Sequence, residues 1–313
     1  CAPQLRPERG ALLRRTLKRA CEQDLPAGIA LTEVLVLDDG PHAHAAAHIA
    51  AALPNGAPRC VRLRHVSVPP DASGRVSMRL KRNVALLLAS ADALCFFDDD
   101  DWRARDSVAT QLAVLGDADV CTLQVQHVCE LDASRRTARY FGLADGGGIF
   151  SRRLGTPGTM LLRRRAWEAN PHLGFPETAC EDVDFVRLLT ADVPALDGRR
   201  GRRCAHTLVD AAALRRLGAA ESSRSKMMTV RLLGFAHEWA LPPLALPPMN
   251  TPPHCLDAEE VAFYDAQAAA LADGAVTVGG GGGASPEVPT AAVLAAAQRR
   301  LDGATAAVKV LDA

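Results

Sequence analysis

The chain has 313 residues, with 36 basic and 36 acidic side chains and a formal net charge of zero. That length allows one large domain or two small ones around a sizeable buried core. Apolar content of 48% and charged content of 23% exclude a disordered or collagen-like chain, the charge balance argues against a dedicated nucleic-acid binder, and no apolar run reaches the ~18 residues of a membrane span.

In chain order, Glu8 to Gln23 has helical apolar spacing at Leu12, Leu13, Leu17 and Ala20. Val34 to Leu37 is a short apolar strand that runs into Asp38-Asp39-Gly40, and Pro41 to Leu53 is an Ala-rich helix. Cys60 to Val68 alternates as a strand, and Arg79 to Ala91 puts Leu80, Val84, Leu87 and Leu88 on one helical side. Ala93 to Phe97 reads as a buried strand ending in Asp98-Asp99-Asp100-Asp101-Trp102. Asp106 to Leu115 is a helix and Asp119 to Val125 a strand. After the loop Gly155 to Gly158 comes a strand over Thr159 to Leu162, then a helix over Cys180 to Leu189 that opens with acids. This alternation predicts an α/β fold with a mostly parallel sheet. Beyond residue 208 the pattern changes to a Pro-rich stretch at Leu241 to Pro253, an amphipathic helix at Asp257 to Ala272, five glycines at Gly279 to Gly283 and a helix at Pro289 to Leu301. The expected division is a main domain over 1–208, a helical and Pro-rich extension over 209–274, and a poorly tethered linker and helix over 275–313.

Arginine outnumbers lysine 32 to four, which reads as a bias of nucleotide composition rather than of function. The nine cysteines are scattered without a CxxC pair, so buried free thiols are expected. The chemistry gathers elsewhere, in three acidic clusters. Four adjacent carboxylates at the end of an apolar strand repel one another unless a cation sits among them or some are protonated, and the alternative reading is a solvated acidic turn that caps the next helix. At an effective dielectric of 20, two charges ~5 Å apart cost ~3 kcal/mol. Oxygen-only ligands suit Mg²⁺ or Mn²⁺, and on a strand Asp98 and Asp100 share a side. Asp38-Asp39-Gly40 reads on its own as a turn and helix cap, and Glu181-Asp182-Val183-Asp184 as a helix start, with a general base as the alternative.

Four segments in order resemble the family 2 glycosyltransferases of the GT-A fold: Cys1-Ala2-Pro3 with Arg6-Pro7-Glu8; Val36 to Gly40; Lys81-Arg82-Asn83 with Phe97 to Trp102; and Gly158 to Arg164 with Glu181-Asp182. The resemblance covers residues 1 to about 208. It implies a GT-A-type sheet flanked by helices and an inverting transfer from a nucleotide-sugar, most often UDP-linked, to a hydroxyl acceptor. It assigns Pro3, Asp39, Arg82, Asn83, Asp98 and Asp99 to the donor, with Asp39 on the uracil. Asp98 and Asp100 would hold Mn²⁺ or Mg²⁺, with His206 a further ligand, and Asp182, beside Glu181, would be the base. Three departures stand out. The family's first strand would precede Cys1, the Pro3 to Pro7 stretch is one residue short, and Arg187 lies one position earlier than the family's arginine. The competing readings are a transferase-like module that binds nucleotide without turnover, and a sugar-nucleotide nucleotidyltransferase. The latter would want a Gly-rich loop and a lysine near the N-terminus, where Pro3 to Arg15 offers only Gly10. A first residue other than Met suggests a processed or partial chain and leaves cytoplasmic and Golgi-associated placements both open.

Overall fold

The computed structural model describes residues 7–38, 42–53, 61–70, 76–123, 127–132, 134–142, 154–178, 180–191, 202–217, 227–232, 248–253, 256–273 and 286–311. Helix α1 (Pro7–Cys21) turns Leu12, Leu13 and Leu17 inward. Strand β1 (Glu33–Asp38), helix α2 (His42–Ala52) and strand β2 (Arg62–Ser67) form a βαβ unit with the two strands parallel, Val36 opposite His65. α2 lies on α1 so closely that a Cβ at Gly10 would come within 2.1 Å of the His48 ring.

Helix α3 (Met78–Leu88) begins at the N-cap Ser77 and buries Asn83, Val84 and Leu86. Then come β3 (Ala93–Cys95), β4 (Trp102–Arg103), α4 (Ser107–Leu115), β5 (Val120–Leu123), β6 (His127–Asp132), β7 (Thr137–Gly142), β8 (Thr156–Arg163), α5 (Arg164–Glu168), α6 (Glu181–Thr190), β9 (His206–Val209), α7 (Ala211–Arg216), β10 (Met227–Leu232), α8 (Ala258–Asp273) and α9 (Ala291–Leu311). One four-stranded sheet has the order β3-β8-β5-β9 and a second β4-β10-β6-β7. Among the described residues, β1 and β3 do not pair, so β1 and β2 stand as a separate two-stranded sheet.

The α/β class expected from the sequence is present, with helices on the sheets. The pairing itself is mixed. β1–β2, β5–β9 and β6–β10 are parallel, whereas β8 runs antiparallel between β3 and β5, β6 and β7 form a hairpin, and β4 is antiparallel to β10. The stretch Gly155 to Gly158, expected as a loop, lies largely within β8, because backbone pairing with β5 outweighs its Gly/Pro composition. The main core joins Leu86, Met160, Leu162, Trp167, Phe175, Phe185 and Leu188. The free thiols expected from the scatter are present at Cys21, Cys95, Cys121, Cys129, Cys180 and Cys204, three of them buried.

The helix expected at Asp257 to Ala272 is present as α8, whereas Glu287 and α9 correct the expectation of a poorly tethered segment from about 275 on. α8 buries Tyr264 and Ala268 with Leu12, Trp102, Leu131 and Tyr140, and its wholly buried Glu260 is held by Arg15 at 2.7 Å and by Arg19. Glu287 adds a parallel bridge beside β2, exchanging backbone hydrogen bonds with His65 and Ser67. α9 then packs on α3 and α6 and buries Ala297, Leu301, Ala304, Ala307 and Val308. An alanine-rich face fits closely against neighbouring helices, a property that composition alone does not separate from a linker. Gly279 to Gly283 lies outside the described residues. Among the described residues, no helix is long and apolar enough to cross a membrane.

Candidate active site

The acidic run is a turn, not a strand. β3 ends at Cys95, and the Asp101 N–H donates to the Asp98 carbonyl at 3.3 Å. The Thr16 hydroxyl, on α1, lies 3.2 Å from the carbonyl oxygens of both Asp99 and Asp101. Strand alternation therefore does not set the directions of Asp98 and Asp100; the turn does. The strand end leading into the turn is held by Arg103, two positions past the last aspartate and only 2% exposed. Its guanidinium donates to the Phe96 carbonyl (2.8 Å), the Thr159 carbonyl (2.8 Å) and Gln111 Oε1 (3.0 Å), and it sits 4.3 Å from the Phe97 ring. Sequence reasoning missed this residue. The available signal was a lone arginine in an otherwise buried Trp-Arg pair.

Arg82, on α3, ties the acidic turn to α6. It donates to Asp98 Oδ1 at 3.0 Å and to Glu181 Oε1 at 3.2 Å, and its guanidinium stands 5.3 Å from the Phe175 ring. Burial alone would lower its pKa, but the three carboxylates Asp98, Asp182 and Glu181 outweigh that and raise it, so it is a fixed cation. Facing Asp98 and Asp182 is Gly158 of β8, which carries no side chain. A Cβ there would lie 3.0 Å from Asp98 Oδ2 and 3.4 Å from Asp182 Oδ2, so both carboxylate oxygens face one point.

Glu181, Asp182 and Asp184 occupy the first turn of α6, where negative charge complements the helix dipole. Asp182 Oδ1 accepts from the Val183 N–H at 2.8 Å. Burial pushes the Asp182 carboxyl up, with Arg82 pulling the other way and Asp98 adding to the rise. Burial likewise raises Glu181, opposed by Arg82. Arg79 braces the same corner, donating to the Thr178 carbonyl at 2.8 Å and lying 3.7 Å from Glu181 Oε2. The result is a cluster in which one oxygen each of Asp98 and Glu181 is neutralised, while Asp98 and Asp182 present their second oxygens to the Gly158 position.

The remaining expected residues divide. Asn83 is wholly buried, and its side-chain amide exchanges two hydrogen bonds with the Phe175 backbone, at 3.1 and 2.8 Å. This corrects the donor-contact assignment: Asn83 has no surface for a ligand and instead fixes the 170–178 segment. His206 is also corrected. It pairs across the sheet with Val120, and through Leu162 it is level with Leu94, four residues before Asp98. β9 and β3 are the outer strands of this sheet, three spacings of ~4.8 Å apart, so His206 lies ~14 Å to the side of β3. Its Nε2 lies 2.9 Å from Thr122 Oγ1, and burial lowers its pKa. Asp99 is in the turn with its carbonyl on Thr16. Pro3 and Asp39 lie outside the described residues; the neighbouring Asp38 is buried, with its carboxylate 3.1 Å from His65 Nε2.

Does this turn suit a divalent cation? Asp98 Oδ2 and the Asp100 carboxylate are oxygen donors of the kind Mg²⁺ and Mn²⁺ take. Among the described residues, no group of three or more His, Cys, Asp or Glu is gathered for a metal. Among these residues the carboxylates form no closed protein cage, so a cation held by Asp98 and Asp100 would need further ligands from water or a phosphate-bearing substrate.

No family model matches the chain, and no curated protein matches it. Solved structures do. The S. aureus TarS 1-349 structure aligns with a TM-score of 0.43 at 16% identity, over 70% of this chain and 56% of that one. Its complex with UDP aligns at 0.40 and 17%, over 66% and 59%. The mannosyltransferase PcManGT from Pyrobaculum calidifontis, in complex with GDP-Man and Mn²⁺, aligns at 0.31 and 18%, over 64% and 65%. This chain spans less than two thirds of the length of each.

Proposed function

We propose that this chain is a metal-dependent, inverting glycosyltransferase that moves a sugar from a UDP-linked donor to a hydroxyl acceptor. The observation that carries the reading is that Asp98 Oδ2 and Asp182 Oδ2 both face the side-chain-free position of Gly158, with Arg82 bonded to Asp98 and to Glu181, the neighbour of Asp182. A base and an electrophile-binding turn that face one position are what a one-step displacement requires, since attacking and leaving atoms must be within reach of one centre. The motif order Asp39, Lys81-Arg82-Asn83, Asp98 to Trp102 and Glu181-Asp182 supports the same reading.

In this mechanism Asp182 accepts the proton of the acceptor hydroxyl as its oxygen bonds to the anomeric carbon. The bond from that carbon to the diphosphate oxygen breaks, its electron pair leaves with the nucleoside diphosphate, and the configuration inverts. No covalent enzyme intermediate forms. Arg82 offers fixed positive charge near the departing diphosphate, and Val183 N–H holds the Asp182 carboxylate in its orientation. Asp98 and Asp100 would hold Mn²⁺ or Mg²⁺, which when bound supplies Lewis-acid stabilisation of the diphosphate. Asp39 is assigned to the uracil.

The test is a panel of nucleotide-sugars assayed for nucleotide release with Mn²⁺, with Mg²⁺ and with chelator. Release from a UDP-sugar that Mn²⁺ stimulates, with inverted product, supports the reading. Tight metal-dependent UDP binding with no release from any donor overturns it in favour of a binding module.

A further inference from the structure

We propose that the C-terminal helix α9 is a strap that sets the geometry of the active site, with Arg300 as its positioning residue acting through the 170–178 segment. This rests on the transferase reading only for its kinetic consequences.

Three ties join α9 to that segment. Arg300 Nη1 donates to the carbonyls of Asn170 (3.2 Å) and Leu173 (2.7 Å), and its guanidinium lies 3.8 Å from the Trp167 ring. The Glu177 N–H donates to Thr305 Oγ1 at 2.7 Å. Gly303 lets the backbones meet, since a Cβ there would come within 2.8 Å of the His172 carbonyl oxygen. The segment's other side faces the site. Phe175 exchanges hydrogen bonds with Asn83 of α3, and its ring lies 5.3 Å from the Arg82 guanidinium, 5.4 Å from the Phe96 ring and 4.3 Å from the Phe185 ring. Glu177 accepts from the Ser77 hydroxyl at 2.9 Å, and the Thr178 carbonyl accepts from Arg79.

Phe175 is thus a platform under Arg82, and Arg82 holds Asp98 and Glu181 in register. The platform is bolted to α3 on one side and to α9 on the other. Each of the three ties spans about 130 residues of sequence, so the site depends on a helix that follows the whole acidic machinery in the chain. Arg300 touches none of the carboxylates. Its effect passes through the Leu173 and Asn170 carbonyls to Phe175, then to Arg82, whose bonds hold Asp98 and Glu181. Misplacing a positioned group by ~1 Å costs up to ~100-fold in rate.

The test compares Arg300→Ala, Arg300→Lys and Thr305→Val with Gln298→Ala on the exposed side of α9 as control, all in the full chain. Hydrogen exchange at the Phe175 and Glu177 amides is read first, alongside far-UV circular dichroism. Exchange is expected to rise at least about tenfold in Arg300→Ala and Thr305→Val with secondary structure retained, and to stay unchanged in the control. With the active UDP-sugar, kcat is expected to fall about 10- to 100-fold while the donor KM stays within about twofold. Arg300→Lys should recover part of each effect. Should Arg300→Ala not fold, Thr305→Val alone carries the test. Unchanged exchange at Phe175 overturns the strap, as does a loss of kcat no larger than the unfolded fraction. A wild-type chain that turns over no nucleotide-sugar overturns the transferase reading, and the exchange result then decides the strap by itself.

Discussion

Arg82 and Arg103 flank the same acidic turn, Arg103 buried and Arg82 partly so, yet they are neutralised in different ways. Arg82 is balanced by carboxylates: Asp98, Asp182 and Glu181 all act on it, and its bonds go to two of them. Arg103 is balanced by dipoles: two backbone carbonyls and a glutamine amide take its donors, with the Phe97 ring beside it. A cation among carboxylates can exchange those partners for a diphosphate. A cation spent on carbonyls can only hold backbone in place. The first belongs to chemistry, the second to the shape of the turn that chemistry uses.

The largest effects should separate the two. Arg82→Met is expected to cut turnover by about 10³-fold, as loss of a charge-stabilising group does. Its stability loss, about 3–5 kcal/mol for an unpaired buried carboxylate, should be largely recovered by adding Glu181→Gln. Arg103→Met should cost about 3 kcal/mol or more from orphaned buried acceptors, and Glu181→Gln should recover none of it. Denaturant unfolding of the two single and two double variants checks this, and equal recovery in both backgrounds would erase the distinction.

Next is the position the two carboxylates face. Gly158→Ala puts a methyl 3.0 Å from Asp98 Oδ2 and 3.4 Å from Asp182 Oδ2. Turnover should fall about 10- to 100-fold. Melting temperature should change little, since the fit is tight only at side-chain tips and alanine is intrinsically favoured over glycine in a strand. A fully active Gly158→Ala enzyme would remove this position from the mechanism.

The smallest effect is on pH. Burial raises Asp182, so its carboxylate, and with it kcat, is lost as pH falls through a value above the ordinary ~3.9. In Arg82→Met that limb should move further up, because the cation that opposes the rise is gone. The same shift has a stability consequence. A carboxyl raised in the folded state favours folding below its unfolded value, and that contribution is lost as pH rises through the folded value. Asp182→Asn should therefore be no less stable than the parent at neutral pH. A kcat limb in the ordinary carboxylate range would show that Asp182 is not the titrating base.

Much of the site was legible because its acids are consecutive. Asp98 to Asp101 and Glu181-Asp182 announce themselves as local runs, and both fall at element boundaries where a turn and a helix start display them. The supports were not legible. Arg103 earns its place from Thr159, and Asn83 from Phe175, partners 56 and 92 residues away that no local pattern reveals. His206 misled for the converse reason. Its spacing after the acidic pair suggested a ligand, but sheet register puts it level with Leu94 rather than Asp98. The fold divides the same way. Helices with a clear apolar stripe, such as α1 and α3, were readable, while the β6–β10 pairing, about 100 residues apart in the chain, and the docking of α8 and α9 depend on contacts between distant segments.

The central claim is that Asp98 and Asp100 bind the metal-bridged donor while Asp182 performs the transfer. Calorimetric titration of UDP with and without Mn²⁺, run on Asp100→Asn and Asp182→Asn beside a transfer assay, tests it most directly. Metal-dependent binding should vanish in Asp100→Asn and persist in Asp182→Asn, with transfer lost in both. Full transfer by Asp182→Asn, or undiminished Mn²⁺-dependent UDP binding by Asp100→Asn, would contradict it.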